Sequence, residues 1–192
     1  DIFIIVAYGQ FLSQEVLDIP KIFPINIHAS LLPKYRGAAP INWAIIKGEK
    51  FTGVTIMQVT RKMDSGAIIA QRETEIKTED DAVSVEERLR QIGAELLLKM
   101  LPDIKENRIS LKQQDDRLAI YAPKLKKSDG LIDWNNSVTD ILNLIRGTRP
   151  WPGAFTHYNG KLLKIHKAEL TDVALLTKGS YSAGEILNIS KK

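Results

Sequence analysis

The apolar side chains Ile2, Phe3, Ile4, Ile5 and Val6 open the sequence and predict a strand buried on both faces, the pattern of a parallel sheet covered by helices. A strand of that kind requires neighbours, so the natural protein is expected to begin before Asp1. Tyr8, Gly9 and Gln10 read as a loop, and residues 13–17 as a short helix that Pro20 ends. Over residues 23–30 apolar and polar positions alternate. In an extended chain this places Asn26, His28 and Ser30 on one face and Ile25, Ile27 and Ala29 on the other. The polar face then calls for a cleft or water.

Pro33 stops this strand, and Lys34, Tyr35, Arg36 and Gly37 lead into a helix with Pro40 near its first turn and Gly48 just past its end. Strands are expected over residues 53–59 and 67–71, joined by a turn at Met63, Asp64, Ser65 and Gly66. The helical spacing of Val85, Leu89, Ile92, Leu96 and Met100 predicts a long amphipathic helix covering one face of the sheet and ending or kinking at Pro102. Residues 110–127 are polar and aperiodic and read as a linker. Beyond them, Val138, Ile141, Leu142 and Ile145 mark a shorter helix closed by Gly147. Two alternating segments flank Asn159 and Gly160, the dipeptide most favoured in a tight hairpin. The expected organisation is a core over 1–108, a linker over 109–128 and a β-rich unit over 129–192.

Composition narrows the chemistry. The 192 residues contain no cysteine, which excludes disulfides, thiolate metal sites and a cysteine nucleophile, and only three histidines, so no metal is expected. The longest apolar runs fall far short of the roughly 20 residues of a membrane span. With no signal-type opening either, a cytoplasmic protein without a membrane partner is expected, and a monomer. A net charge of +4 is compatible with a polyanionic partner such as nucleic acid.

The constellation that carries chemistry is Asn26, His28 and Asp64. An amide that donates, an imidazole that exchanges a proton and a carboxylate beside it suit acyl-type transfer to an amine without a serine nucleophile. By spacing alone, a structural histidine on a strand and an ordinary Asp-Ser-Gly turn are the commoner case. Lys34 and Arg36 read as loop solvation or as contacts to an anionic substrate, and Lys124, Lys126 and Lys127 as a solvated stretch or as contacts to an RNA backbone.

The stretch from Asn26 and His28 through Ser30, Leu31, Leu32 and Pro33 resembles the signature of formyltransferases that use 10-formyltetrahydrofolate. Its continuation from Lys34 to Trp43 resembles the members whose acceptor is methionyl-initiator tRNA. Gly53, Val54 and Thr55, then Met63, Asp64, Ser65 and Gly66, match the second catalytic segment in register, and Ile145, Arg146, Gly147 with residues 150–155 resemble the start of the C-terminal domain.

The resemblance implies an α/β fold, a Rossmann-like core with a mainly parallel sheet, then a linker and a partial β-barrel that helps to hold tRNA. It further implies that Asn26 and His28 polarise the formyl group and that Asp64 orients His28. Folate would lie against Tyr8, Gly9, Gln10, Phe11 and Leu12, against Ser30, Leu31, Leu32 and Pro33, and against the loop from Val59 to Asp64 with its Met63, all at carboxyl ends of strands. Lys34, Arg36, Lys124, Lys126, Lys127 and Arg146 would meet tRNA. The competing expectations are a sugar nucleotide, glycinamide ribonucleotide or water as acceptor, and a non-catalytic protein that binds RNA or folate.

Overall fold

The computed structural model describes residues 1–171 and 181–187. The opening apolar run yields a short strand, β1 (Ile4–Ile5), followed by helix α1 (Gln14–Leu17), and the alternating segment yields β2 (Ile25–His28). Arg36–Gly37 forms a two-residue strand, β3, and helix α2 (Pro40–Ile46) begins on its proline, whose missing N–H would have had no helical partner. Strands β4 (Phe51–Gln58) and β5 (Ile68–Glu75) precede the long helix α3 (Ala82–Lys105). A reciprocal capping box starts α3: the Ser84 amide donates to the Asp81 carboxylate and the Asp81 amide to the Ser84 hydroxyl.

One sheet, in the order β1-β2-β4-β5, carries the polar strand face. β1 and β2 are parallel, with Ile5 opposite Asn26, whereas β4 runs antiparallel to both β2 and β5. The sheet is therefore mixed, with the expected parallel pairing at β1 and β2. The short connection at 59–67 can join β4 and β5 only as antiparallel neighbours, because a parallel pair needs a crossover of about a dozen residues or more. The opening strand departs from its expected burial. Ile4 is 42% and Val6 58% exposed, since β1 forms the edge of the described sheet and meets the core through Ile2.

Helix α3 covers one face. Val85 and Leu89 pack with Ile45 and Val54, and Leu96 and Ile104 with Ile25 and Ile56. Gly93 lets the helix lie close, since a Cβ there would stand 3.2 Å from Ile27 Cγ2. The helix does not end at Pro102 but runs on to Lys105, because Ile104, 1% exposed, holds the last turn on the core.

Residues 109–128 lie against the core. Lys112 bridges Ile68, and β6 (Tyr121–Ala122) pairs in parallel with β3. Helix α4 (Val138–Gly147) follows, capped by Ser137, and packs on α2. Gly147 is its last helical residue and has a second use: a Cβ there would come within 2.6 Å of Ile46 Cγ1, so its bare backbone permits the helix contact. Strands β7 (Ala154–Tyr158) and β8 (Lys161–Ile165) form the expected hairpin, with Asn159 and Gly160 both at positive φ as a type I′ turn demands. Leu131 bridges Phe155, and Ile132, Ile145 and Ala154 make a small core beneath. Part of the barrel expected over 129–192 falls on 172–180 and 188–192, outside the described residues.

Candidate active site

Alternation along β2 sends Ile25 and Ile27 toward α3 and leaves Asn26 and His28 on the opposite face. That face is not open water. His28 is 6% exposed, Ser30 is fully buried and Asn26 is half-buried. The chain then turns back sharply, and buried hydrogen bonds hold the turn. Thr55, opposite His28 in the ladder, donates its hydroxyl to the Ser30 carbonyl (2.6 Å) and accepts the Leu32 amide (3.1 Å). Gln71 donates to the Leu32 carbonyl (2.9 Å), and the Ser30 hydroxyl to the Lys34 carbonyl (2.6 Å).

This turn delivers the Tyr35 carbonyl to the imidazole, 2.9 Å from His28 Nε2. Tyr35 sits at φ +61°, a left-handed conformation costly for a bulky residue, and is anchored by its buried ring and by its hydroxyl, which donates to Glu49 (2.9 Å). Burial, reinforced by that bond to the Glu49 carboxylate, pushes the phenol above its ordinary pKa. A carbonyl only accepts, so Nε2 carries a proton and Nδ1 is the nitrogen that faces the other way.

The group it faces is Asp64, whose Oδ2 lies 3.7 Å from Nδ1 and accepts the Gly37 amide at 2.8 Å. The side chains of His28 and Asp64 are 7% and 16% exposed, so the pair is largely buried with a little of the carboxylate at the surface. Among the described residues no hydrogen bond engages the half-buried side-chain amide of Asn26. The arrangement can accept a proton at Nδ1, balance the resulting charge with a carboxylate and donate to a developing oxyanion from Asn26.

Tyr8, Gly9, Gln10, Phe11 and Leu12 form a largely exposed loop after β1, with Phe11 71% exposed. Because β1 and β2 are parallel, this loop shares an edge of the sheet with the residues that follow His28. Val59 does not share it. It follows the antiparallel β4, and its amide donates to the Pro24 carbonyl (2.8 Å) at the start of β2. The turn that holds Met63, which is exposed, folds back from there over the Asn26 and His28 face and so brings in Asp64. Leu31, Leu32 and Pro33 belong to the turn just described. Leu32 packs between Met57 and Ile68, and Leu31 fills the space left by Gly53.

The basic candidates separate. Lys124, Lys126 and Lys127 are exposed, and Lys34, half exposed, pairs with Glu49 at 3.2 Å. Arg36 is a correction, since its side chain has no exposed surface to offer a phosphate. Its Nε and Nη2 donate to Gln114 Oε1 (3.1 and 2.8 Å), and Nη2 also pairs with Asp116 (2.8 Å). Arg146 is likewise engaged, donating to the carbonyls of Lys77, Thr78 and Asp80 and so tying α4 to the start of α3. Sequence reasoning overlooked Tyr35 as a backbone acceptor, and also Gln71 and Gln114, and it named Thr55 only as part of a matching motif. Gln114 donates to the carbonyls of Asp64 (2.9 Å) and Gly66 (2.7 Å) from within a polar stretch that carries no periodic signal.

A mixed sheet that presents an amide, an imidazole and a carboxylate around one strand face has the groups that acyl-type transfer requires. The chain belongs to the formyl transferase family, matching its formyl transferase domain over residues 1–101 and its C-terminal domain over residues 124–192. It is 47% identical over 90% of its length to the methionyl-tRNA formyltransferase of Caldanaerobacter subterraneus subsp. tengcongensis, covering 56% of that protein. It is 44% identical over its whole length to the methionyl-tRNA formyltransferase of Citrifermentans bemidjiense, covering 58%. The chain thus spans somewhat over half the length of these curated relatives. Among solved structures it resembles the N-formyltransferase from Helicobacter canadensis in complex with folinic acid and dTDP-3-aminofucose, at 26% identity and a TM-score of 0.68, over 77% of this chain and 54% of that one.

Proposed function

We propose that the complete protein transfers the formyl group of 10-formyltetrahydrofolate to the amino group of methionyl-initiator tRNA, in the cytoplasm where translation starts. The observation that carries this reading is the His28 and Asp64 pair, 3.7 Å apart with Nδ1 turned toward the carboxylate. The amine nitrogen attacks the formyl carbon, and the carbonyl oxygen takes up negative charge beside the Asn26 amide. His28 Nδ1 receives the proton that the amine loses, and Asp64 balances the imidazolium. When the tetrahedral intermediate collapses, the bond from the formyl carbon to the folate nitrogen breaks. The proton then passes to that nitrogen, so tetrahydrofolate leaves neutral and the imidazole is restored. No covalent bond to the protein is needed.

Two observations favour this acceptor. The relatives at 44–47% identity are named for methionyl-tRNA, and Lys124, Lys126 and Lys127 stand exposed where a phosphate backbone could be met. The solved relative bound to dTDP-3-aminofucose supports a sugar nucleotide as the second reading. Formyl transfer by the full-length protein to charged initiator tRNA, to an amino-sugar nucleotide and to glycinamide ribonucleotide separates them. The tRNA is expected to be formylated at the highest kcat/KM, and transfer to the sugar nucleotide alone would overturn the proposal.

A further inference from the structure

We propose that Gln114 is a positioning residue for this reaction: its side-chain amide, oriented by the buried Arg36, holds the main chain of the 64–66 turn and so sets the Asp64 carboxylate against His28. The inference rests on the role of His28 and Asp64 given above.

Asp64 stands at φ +47°, the left-handed region, which Asp adopts more readily than most side chains though less readily than glycine, so contacts from outside the turn help to hold it there. Gln114 does so with both of its N–H groups, one on the Asp64 carbonyl at 2.9 Å and one on the Gly66 carbonyl at 2.7 Å. Its oxygen accepts twice from Arg36, at 2.8 and 3.1 Å. This fixes the amide in one orientation. Turned over, it would place its oxygen against two carbonyls and its NH2 against a guanidinium, losing every bond. The contacts close into a ring: Arg36 to Gln114, Gln114 to the Asp64 backbone, the Asp64 carboxylate to the Gly37 amide, and the Gly37 peptide back to Arg36. Asp116, two residues on, pairs with Lys62 at the start of the same turn and with Arg36, which braces the ring from a second side. Gly66 leaves the turn no slack, since a Cβ there would fall 1.7 Å from the Gln58 carbonyl oxygen.

The test compares the full-length wild type with Gln114→Met, which has similar length but neither donates to the turn nor accepts from Arg36. It also includes Gln114→Glu, which keeps the acceptor for Arg36 and loses the donors to the turn. Two readouts are taken: steady-state kinetics, and the imidazole ¹⁵N signals of His28 in the substrate-free protein, with Asp64→Asn as the reference for a ring deprived of its carboxylate. Both Gln114 variants are expected to lower kcat on the order of tenfold to a hundredfold with KM for donor and acceptor nearly unchanged, since misplacement by about an ångström has that effect. Their His28 signals should shift toward those of the reference. Wild-type His28 signals in folded Gln114→Glu would overturn the proposal, as would equal losses in kcat and thermal stability with those signals unmoved. Should the wild type formylate no acceptor, the functional reading fails, while the ¹⁵N comparison still decides whether Gln114 positions Asp64.

Discussion

The Gly37 amide and the Asp64 carboxylate are joined by a 2.8 Å hydrogen bond, and the oxygen that accepts it is the one 3.7 Å from His28 Nδ1. That oxygen is therefore anchored at a separation too long for a direct hydrogen bond to the ring. In the proposed reaction the carboxylate acts on the imidazole through charge and leaves Nδ1 free to take a proton from the amine.

Replacing Asp64 with Asn keeps an acceptor for Gly37 and removes the charge. A fall in kcat of about a hundredfold is expected, with thermal stability nearly unchanged. Full activity in Asp64→Asn, measured with charged initiator tRNA, would remove the carboxylate from the mechanism.

Arg36 and the exposed lysines should differ in kind. Arg36→Ala leaves Gln114 Oε1 without its donors and opens a cavity in a site with no exposed surface, at a cost of about 2–4 kcal/mol in denaturant unfolding. Replacing Lys124, Lys126 and Lys127 together with Ala should leave stability nearly unchanged. It should also flatten the dependence of log tRNA affinity on log salt by up to about 2–3 in slope. An unchanged slope would show that these lysines do not meet the phosphates.

At Gly147 two effects oppose each other. Alanine gains up to about 1 kcal/mol in helix propensity. Its methyl would meet Ile46 Cγ1 at 2.6 Å and the Asn42 carbonyl oxygen and Ile46 amide at 3.0 Å. Backbone atoms cannot swing aside, and overpacking of this kind costs about 1–3 kcal/mol, so Gly147→Ala should be net destabilising. A raised Tm would mean that α4 shifts freely on α2.

Asp80 supplies a pH dependence. Burial favours its neutral form, but hydrogen bonds from Arg88, from the Lys77 amide and from Ser84 outweigh it and hold the carboxyl below its ordinary value of 3.8. A depressed folded-state pKa stabilises the fold fully above the unfolded value, and that stabilisation is lost as pH falls through the folded value. Arg88→Met should therefore be less stable than wild type at neutral pH. The gap should close as pH drops below about 4, measured by urea unfolding across that range. A constant gap would assign the role of Arg88 to packing.

Local periodicity reveals itself in a sequence, and much of the framework was legible for that reason. Alternation placed Asn26 and His28 on one strand face, helical spacing from Val85 to Met100 marked α3, and Asn159 with Gly160 announced the hairpin. The residue types of the candidate site could likewise be read off a strand and a turn. How closely His28 and Asp64 approach, which nitrogen of the ring faces the carboxylate, and the antiparallel pairing of β4 with β2 all depend on where separate segments meet.

The sharpest contrast is between Arg36 and Gln114. In sequence, one is a cation in a loop and the other a polar residue in an aperiodic stretch. Only the folded chain brings them together across 78 positions, burying the first and turning the second toward Asp64. Pattern along a chain encodes which face a residue takes within its own element. Pairing between elements is set by the packing of whole surfaces, to which no single local period corresponds.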